Sequence, residues 1–211
     1  MPKKDILPRA ALGFRAHSGW AAVVVVSGTA AAPVILDRRR IEIADPKVRG
    51  SKQPFHAAEP LPFKDAEQLI RRCTKSTNGL AERAVRGVVD DAQGKGYRVA
   101  GCGLLTASGR PLPALAAILA SHALIHAAEG EMFREALVRA SEECGLAVTK
   151  VRERELLERA ASALRTPADK LQRRLAELGR PLGPPWTQDQ KLATLVALLA
   201  LSERGGAERR P

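Results

Sequence analysis

The chain has 211 residues, 45% hydrophobic but only 3% aromatic, enough to bury one core of Ala, Val, Leu and Ile without disulfides or a structural metal, and bulk disorder is excluded. Its 34 Lys and Arg against 23 Asp and Glu give a formal charge of +11, which favours polyanions, although an Arg- and Ala-rich composition also follows from a high-GC genome. Cys73, Cys102 and Cys144 are odd in number and widely spaced, which excludes a disulfide framework and a zinc ribbon; with no signal-peptide core and no apolar run of membrane length, a cytoplasmic, membrane-free protein is expected.

Residues 1–10 read as a basic tail carrying Pro2 and Pro8. Residues 11–203 form the domain, and residues 204–211 a second tail. Ala11 to Phe14 and Trp20 to Ser27 are short Val-rich runs separated by Arg15-Ala16-His17-Ser18-Gly19, the pattern of two strands and a turn. Pro33 to Ala44 adds a period-two run with Ile35, Arg39, Ile41 and Ile43 on one side, and the short connections make the three strands antiparallel neighbours.

Pro46, Pro54, Pro60 and Pro62 mark a mobile surface loop between Asp45 and Phe63. A helix follows over Lys64 to Gln93, with Asn78-Gly79 able to break it. Tyr97 to Leu105 is a strand, Ser108-Gly109-Arg110-Pro111 a turn, and Pro113 to Cys144 a long helix capped by Gly145. Leu146 to Val151 gives a fifth, parallel strand, followed by a helix from Arg152 to Leu164. Thr166 caps a helix with Pro167 at its first position, and Thr187 opens the apolar helix that runs to Leu201.

This element order resembles the ribonuclease H-like fold, an α/β five-stranded mixed sheet of three antiparallel strands then two parallel, flanked by helices. Ala11-Leu12-Gly13-Phe14-Arg15 and Gly19-Trp20-Ala21-Ala22-Val23 resemble the first hairpin of RuvC-type Holliday-junction resolvases, which opens Gly-Ile-Asp-Pro-Gly and continues Thr-Gly-Trp-Gly-Val. Glu129-Gly130-Glu131, Gly145 to Val151, Arg152 to Ala161, Thr166 to Leu171 and Asp189 to Leu201 resemble that family's closing sequence.

The family's chemistry uses two divalent metal ions held by carboxylates of the first strand, the fourth strand and the last helix, because clustered acids fix hard cations beside the scissile phosphate. Here Arg15 stands at the first-strand acid. Ala100-Gly101-Cys102-Gly103 offers no acid on the fourth strand, so Gly101 and Gly103 mark that position. Asp189 matches one acid of the last helix, with Lys191 and Leu192 where the other belongs. The resemblance therefore implies a degenerate, catalytically inactive scaffold that binds nucleic acid, DNA or structured RNA, or a ribonucleoprotein or DNA-processing complex. A pairing of Arg15 with Asp189 is the structural expectation.

Other groups carry separate readings. His122, His126 and Glu129 are spaced to share one helix face, a geometry that can chelate a transition metal and support a metal-dependent enzyme; His17 is a further candidate ligand, although helical histidine pairs more often pack or hydrogen-bond. No cofactor is required by the sequence: Mg²⁺ belongs to the family's acids and Zn²⁺ to the histidines. Arg38, Arg39, Arg40, Lys47, Arg49, Lys52, Arg71 and Arg72 are the densest basic groups and suit phosphate if they share a face, while a charge run is usually just solvated surface. Trp20 and Trp186 read as core. The apolar segment Leu192 to Leu201 is either buried in its own domain or the seam of a homodimeric assembly protein.

Overall fold

The computed structural model describes residues 7–107 and 111–207, with side chains to Glu203. Ser108-Gly109-Arg110 of the expected turn, and the outer residues of both expected tails, lie outside the described residues.

Strand β1 (Arg9–His17) pairs antiparallel with β2 (Trp20–Gly28), and β2 with β3 (Pro33–Glu42). On its other edge β1 pairs parallel with β4 (Arg98–Thr106), which pairs parallel with β5 (Val148–Arg152). The order β3-β2-β1-β4-β5 is the five-stranded mixed sheet expected of the ribonuclease H-like fold. Helices α1 (Pro54–Ala58) and α2 (Phe63–Gly94) precede β4; α3 (Leu115–Leu119) and α4 (His122–Glu143) precede β5. A 3-10 turn (Glu153–Glu155), α5 (Leu156–Ala163), α6 (Ala168–Leu182) and α7 (Gln188–Ala207) follow.

Alternation along the strands sorts the two faces. Leu12, Phe14, Val23, Val25, Cys102 and Leu104 pack with Val85, Val88, Phe133 and Leu137 of α2 and α4. Val24 and Val26 meet Ala193, Ala197 and Leu198 of α7 on the other face. Gly13 and Gly103 also turn toward α7: a Cβ on Gly13 would stand 1.8 Å from the Ala193 carbonyl oxygen, and one on Gly103 2.4 Å from that of Val196. The helix backbone therefore lies directly on the sheet at these two points, which only glycine permits.

Several expectations are corrected. Arg15, Ala16 and His17 belong to β1, paired with Ala22, Ala21 and Trp20, so the turn is the two residues Ser18-Gly19, with Gly19 at φ +82°. Two-residue hairpins twist with their strands, which favours the tighter turn. A register shift in β3 puts Ile35 on the α7 face, while Ile41 and Ile43 stay on the other. Residues Asp45 to Phe63 are a packed loop: Ser51 Oγ donates to the Asp45 carbonyl at 2.6 Å, Ser76 Oγ lies 3.2 Å from Asp45 Oδ2, and α1 buries Phe55 against Ile118 and Ile125.

Helix α2 passes unbroken through Asn78-Gly79, where Thr77 and Ala81 are buried, so packing outweighs the roughly 1 kcal/mol glycine penalty. The expected helix from Pro113 to Cys144 divides at Ala120-Ser121, with Ser121 extended. Arg152 ends β5, and the helix proper starts at Leu156. Thr166 does not cap α6: its hydroxyl donates back to the Leu164 carbonyl. Thr187 does cap α7, through reciprocal contacts with Gln190 at 3.3 and 3.0 Å.

Strand β1 opens at Arg9 and α7 continues to Ala207. Ala193 and Leu195 to Leu201 are buried within the chain's own domain. No helix among the described residues is long and apolar enough to cross a membrane.

Candidate functional site

The seating of α7 on Gly13 brings its first turn over the carboxyl end of β1, the edge where open α/β sheets place their ligands. Asp189 is on that turn, and the expected pairing is present: Arg15 Nε lies 3.6 Å from Asp189 Oδ1. The Arg15 guanidinium also reaches Glu153, just beyond β5, at 3.1 Å, while His17 Nε2 lies 3.1 Å from Asp189 Oδ2. Arg15 and Asp189 are only 25% and 26% exposed. Each carboxylate at this edge thus faces an arginine or a histidine before any ion arrives.

A stack continues the cluster across the sheet. The His17 ring lies on Trp20, centroids 4.2 Å apart and planes 9° from parallel, and the Arg40 guanidinium carbon sits 4.0 Å from the Trp20 centroid. Trp20 is therefore half-buried and flanked from both neighbouring strands rather than part of the core. Trp186 is also only half-buried, its indole donating to the Leu175 carbonyl at 2.7 Å.

The β1–β4 pairing shows which fourth-strand residue stands level with Arg15. Gly13 pairs with Gly103 and Phe14 with Leu104, so the residue level with Arg15 is Leu105, which is buried in an apolar cluster with Leu195 and Leu199. Gly103 lies one turn of the pleat deeper, under α7, and Gly101 deeper still, opposite Ala11.

The basic groups separate by role. Arg38 donates to the carbonyls of Leu182, Gly183 and Pro185, clamping the α6–α7 loop. Arg39 points to the opposite face, to Asp91 and Asp37; burial opposes its charge, but the two carboxylates outweigh that and raise its pKa above the ordinary value. Arg40 pairs with Glu42. Arg71 pairs with Glu67 and lines a cleft between α2 and α4 of about 480 Å³ with Lys75 and Arg139. Lys47, Arg49, Lys52 and Arg72 are exposed and have no ion pair among the described residues. The stem of Lys52 packs beside Gly19 at the hairpin turn, and Arg72 is one helical turn from Ser76, which holds the start of the loop. Lys52 thus stands at the hairpin turn next to the strand-end cluster, Lys47 and Arg49 belong to the same loop, and Arg72 lies on α2 near the loop's start.

The histidines on α4 are joined by a residue that sequence spacing does not find. His56, on α1, brings a ring nitrogen to within 4.8 Å of one on each of His122 and His126. Glu129, read from sequence as a ligand, points inward: it is 2% exposed, 2.9 Å from His56 Nδ1, and accepts the His56 backbone N–H at 3.2 Å. His17 is committed to Asp189 and takes no part. The available signal was Pro54, the residue type that starts helices, followed by the apolar Phe55 that pins His56 over α4.

No family model matches the chain, and no curated protein matches it. Among solved structures it is similar to Thermus thermophilus RuvC in complex with a Holliday junction substrate, at 12% identity over 94% of this chain and 96% of that one, with a TM-score of 0.55. It is likewise similar to a second Thermus thermophilus RuvC structure, at 14% identity over 93% and 96% of the two chains, with a TM-score of 0.52. The fold is ribonuclease H-like, of the kind seen in RuvC.

Proposed function

We propose that this chain is a nucleic-acid-binding member of the RuvC-like scaffold that has given up two-metal hydrolysis at the strand-end position. One observation carries the reading: the Arg15 guanidinium lies between Asp189 and Glu153, at 3.6 and 3.1 Å. Two Mg²⁺ ions need several free carboxylates around them. Here a fixed positive charge occupies the space between the two acids, and the level position on β4 is Leu105. The site is thus internally neutralised, and its inherited use is recognition rather than cleavage.

Binding falls to Lys47, Arg49, Lys52 and Arg72, which lie in or beside the loop whose Lys52 packs at the hairpin turn and are not consumed by internal ion pairs among the described residues. Four phosphate contacts of this kind give a slope of log affinity against log salt of about −3.6 on duplex DNA. The partner is DNA, structured RNA, or a complex built on either. Titration of branched DNA and structured RNA across a salt series tests it: a slope near −3 to −4 on at least one substrate is expected, and a flat response on all of them overturns the binding claim. Incubating the same substrates with Mg²⁺ or Mn²⁺ should leave them intact. Cleavage that disappears in Asp189→Asn overturns the loss of hydrolysis.

A further inference from the structure

We infer that His56, His122 and His126 form a transition-metal site of the Zn²⁺ class, with Glu129 as the carboxylate that orients His56. This site is distinct from the strand-end cluster and does not depend on the nucleic-acid reading. His122 and His126 lie one helical turn apart on α4, and their Nε2 atoms are 3.1 Å apart. Two nitrogens on one tetrahedral Zn²⁺, each at 2.0–2.1 Å, stand about 3.3 Å apart, so this pair is already spaced as two ligands of one ion. His56 completes the set within 4.8 Å, a gap that a side-chain rotation closes.

The rings are arranged around a point rather than stacked. His56 meets His122 at 82° and His126 at 66°, with centroids 5.2 and 4.6 Å apart, and His122 meets His126 at 82°. Edge-on rings direct nitrogens at one another, and with each ring's proton on Nδ1 both facing Nε2 lone pairs point to a shared cation.

Glu129 supplies the second observation. A carboxylate 2% exposed among Phe55, Ile125 and Ala128 is costly to bury unless paired. It accepts the His56 backbone N–H and lies 2.9 Å from His56 Nδ1, so Nε2 is the His56 nitrogen left for a metal. A buried acid behind a metal-binding imidazole fixes the ring and raises its basicity. His122 and His126 are exposed, so the fourth coordination position opens to solvent. Three neutral imidazoles and an open position suit Zn²⁺, Co²⁺, Ni²⁺ or Cu²⁺, and not Mg²⁺, which requires oxygen ligands. The bound ion would tie α1, and with it the basic loop of Lys47, Arg49 and Lys52, to α4.

The test uses the full chain free of any histidine tag. Calorimetric titration with ZnCl₂ is expected to give saturable uptake of one equivalent and a raised melting temperature, while MgCl₂ at the same concentration changes neither. Co²⁺ should produce the visible absorption of a tetrahedral centre. His122→Ala and His126→Ala, both on the exposed side of α4, should each weaken Zn²⁺ binding at least about 100-fold, and Glu129→Gln about 10- to 100-fold. Cys144→Ser should leave binding unchanged, since no cysteine belongs to the site. Absence of one-equivalent uptake, or uptake untouched by both histidine variants, overturns the site. Uptake untouched by a folded Glu129→Gln protein overturns the role given to the carboxylate.

Discussion

The strand-end cluster and the α1–α4 histidine cluster use the same residue types with opposite charge accounting. At the strand end, Asp189 and Glu153 share Arg15, and Asp189 also takes His17, so each acid has a cation at hand. On α4, one buried carboxylate faces a single histidine while two further histidines point at each other on the surface. Histidine beside acid is thus not by itself a metal signal. What differs is the charge beside each acid: the strand-end carboxylates share a guanidinium, whereas around His56, His122 and His126 no arginine or lysine is paired into the cluster among the described residues.

The largest effect on this contrast is expected from Gly13→Ala. The added methyl would meet the Ala193 carbonyl, so α7 must lift, and overpacking against backbone should cost about 3 kcal/mol or more in urea denaturation. Because Asp189 rides on α7, the strand-end cluster should come apart, while Zn²⁺ uptake by the folded fraction stays as in the parent. Loss of both together would mean that the two regions are not independent.

Arg49→Glu combined with Lys52→Glu should lower nucleic-acid affinity about 10- to 100-fold and reduce the salt slope by about 2. Zn²⁺ binding by the same protein should be unmoved.

Arg15→Met removes the shared cation and leaves two carboxylates at the strand end with only His17. A loss of about 1 kcal/mol is expected, moderated by partial exposure, and MgCl₂ should now raise the melting temperature, whereas the parent's should stay unchanged. Stabilisation of the parent by Mg²⁺ would erase the contrast.

Two smaller effects lie outside both clusters and serve as references. Arg165 ends α5 with φ +48°, a left-handed position that suits glycine, so Arg165→Gly should add about 0.5–1 kcal/mol. Burial pushes the Cys73 thiol up from 9.0. Its folded pKa is then above the unfolded one, so the unfolded chain releases the proton first, and stability falls as pH rises past 9.0 toward the folded value. Cys73→Ala should remove that decline from the pH profile of stability.

The sheet was legible in the sequence because each strand is a bounded apolar run of the right period, and Leu12, Val23 and Cys102 face where alternation sends them. The Arg15–Asp189 pair was legible through a resemblance that aligned both residues. Less visible were features set by long-range register. Leu105 became the level position only once β1 and β4 were paired, and Ile35 changed face because of a shift in β3. His56 was hidden in a proline-rich stretch whose five-residue helix depends on burial of Phe55 rather than on its own propensity. Glu129 shares a face with His122 by spacing, but spacing does not tell which residue on that face sinks into the core.

The two glycines beneath α7 carry a further implication. With no side chain between helix and sheet at Gly13 and Gly103, there is no soft layer that a rotamer change could compress or relax. Helix and sheet should move as one rigid piece, and the backbone spacing between Asp189 and Arg15 becomes a constant of the architecture. A ligand arriving at that edge would therefore meet a hard surface, and any adjustment on binding would fall to the loop of Lys47, Arg49 and Lys52.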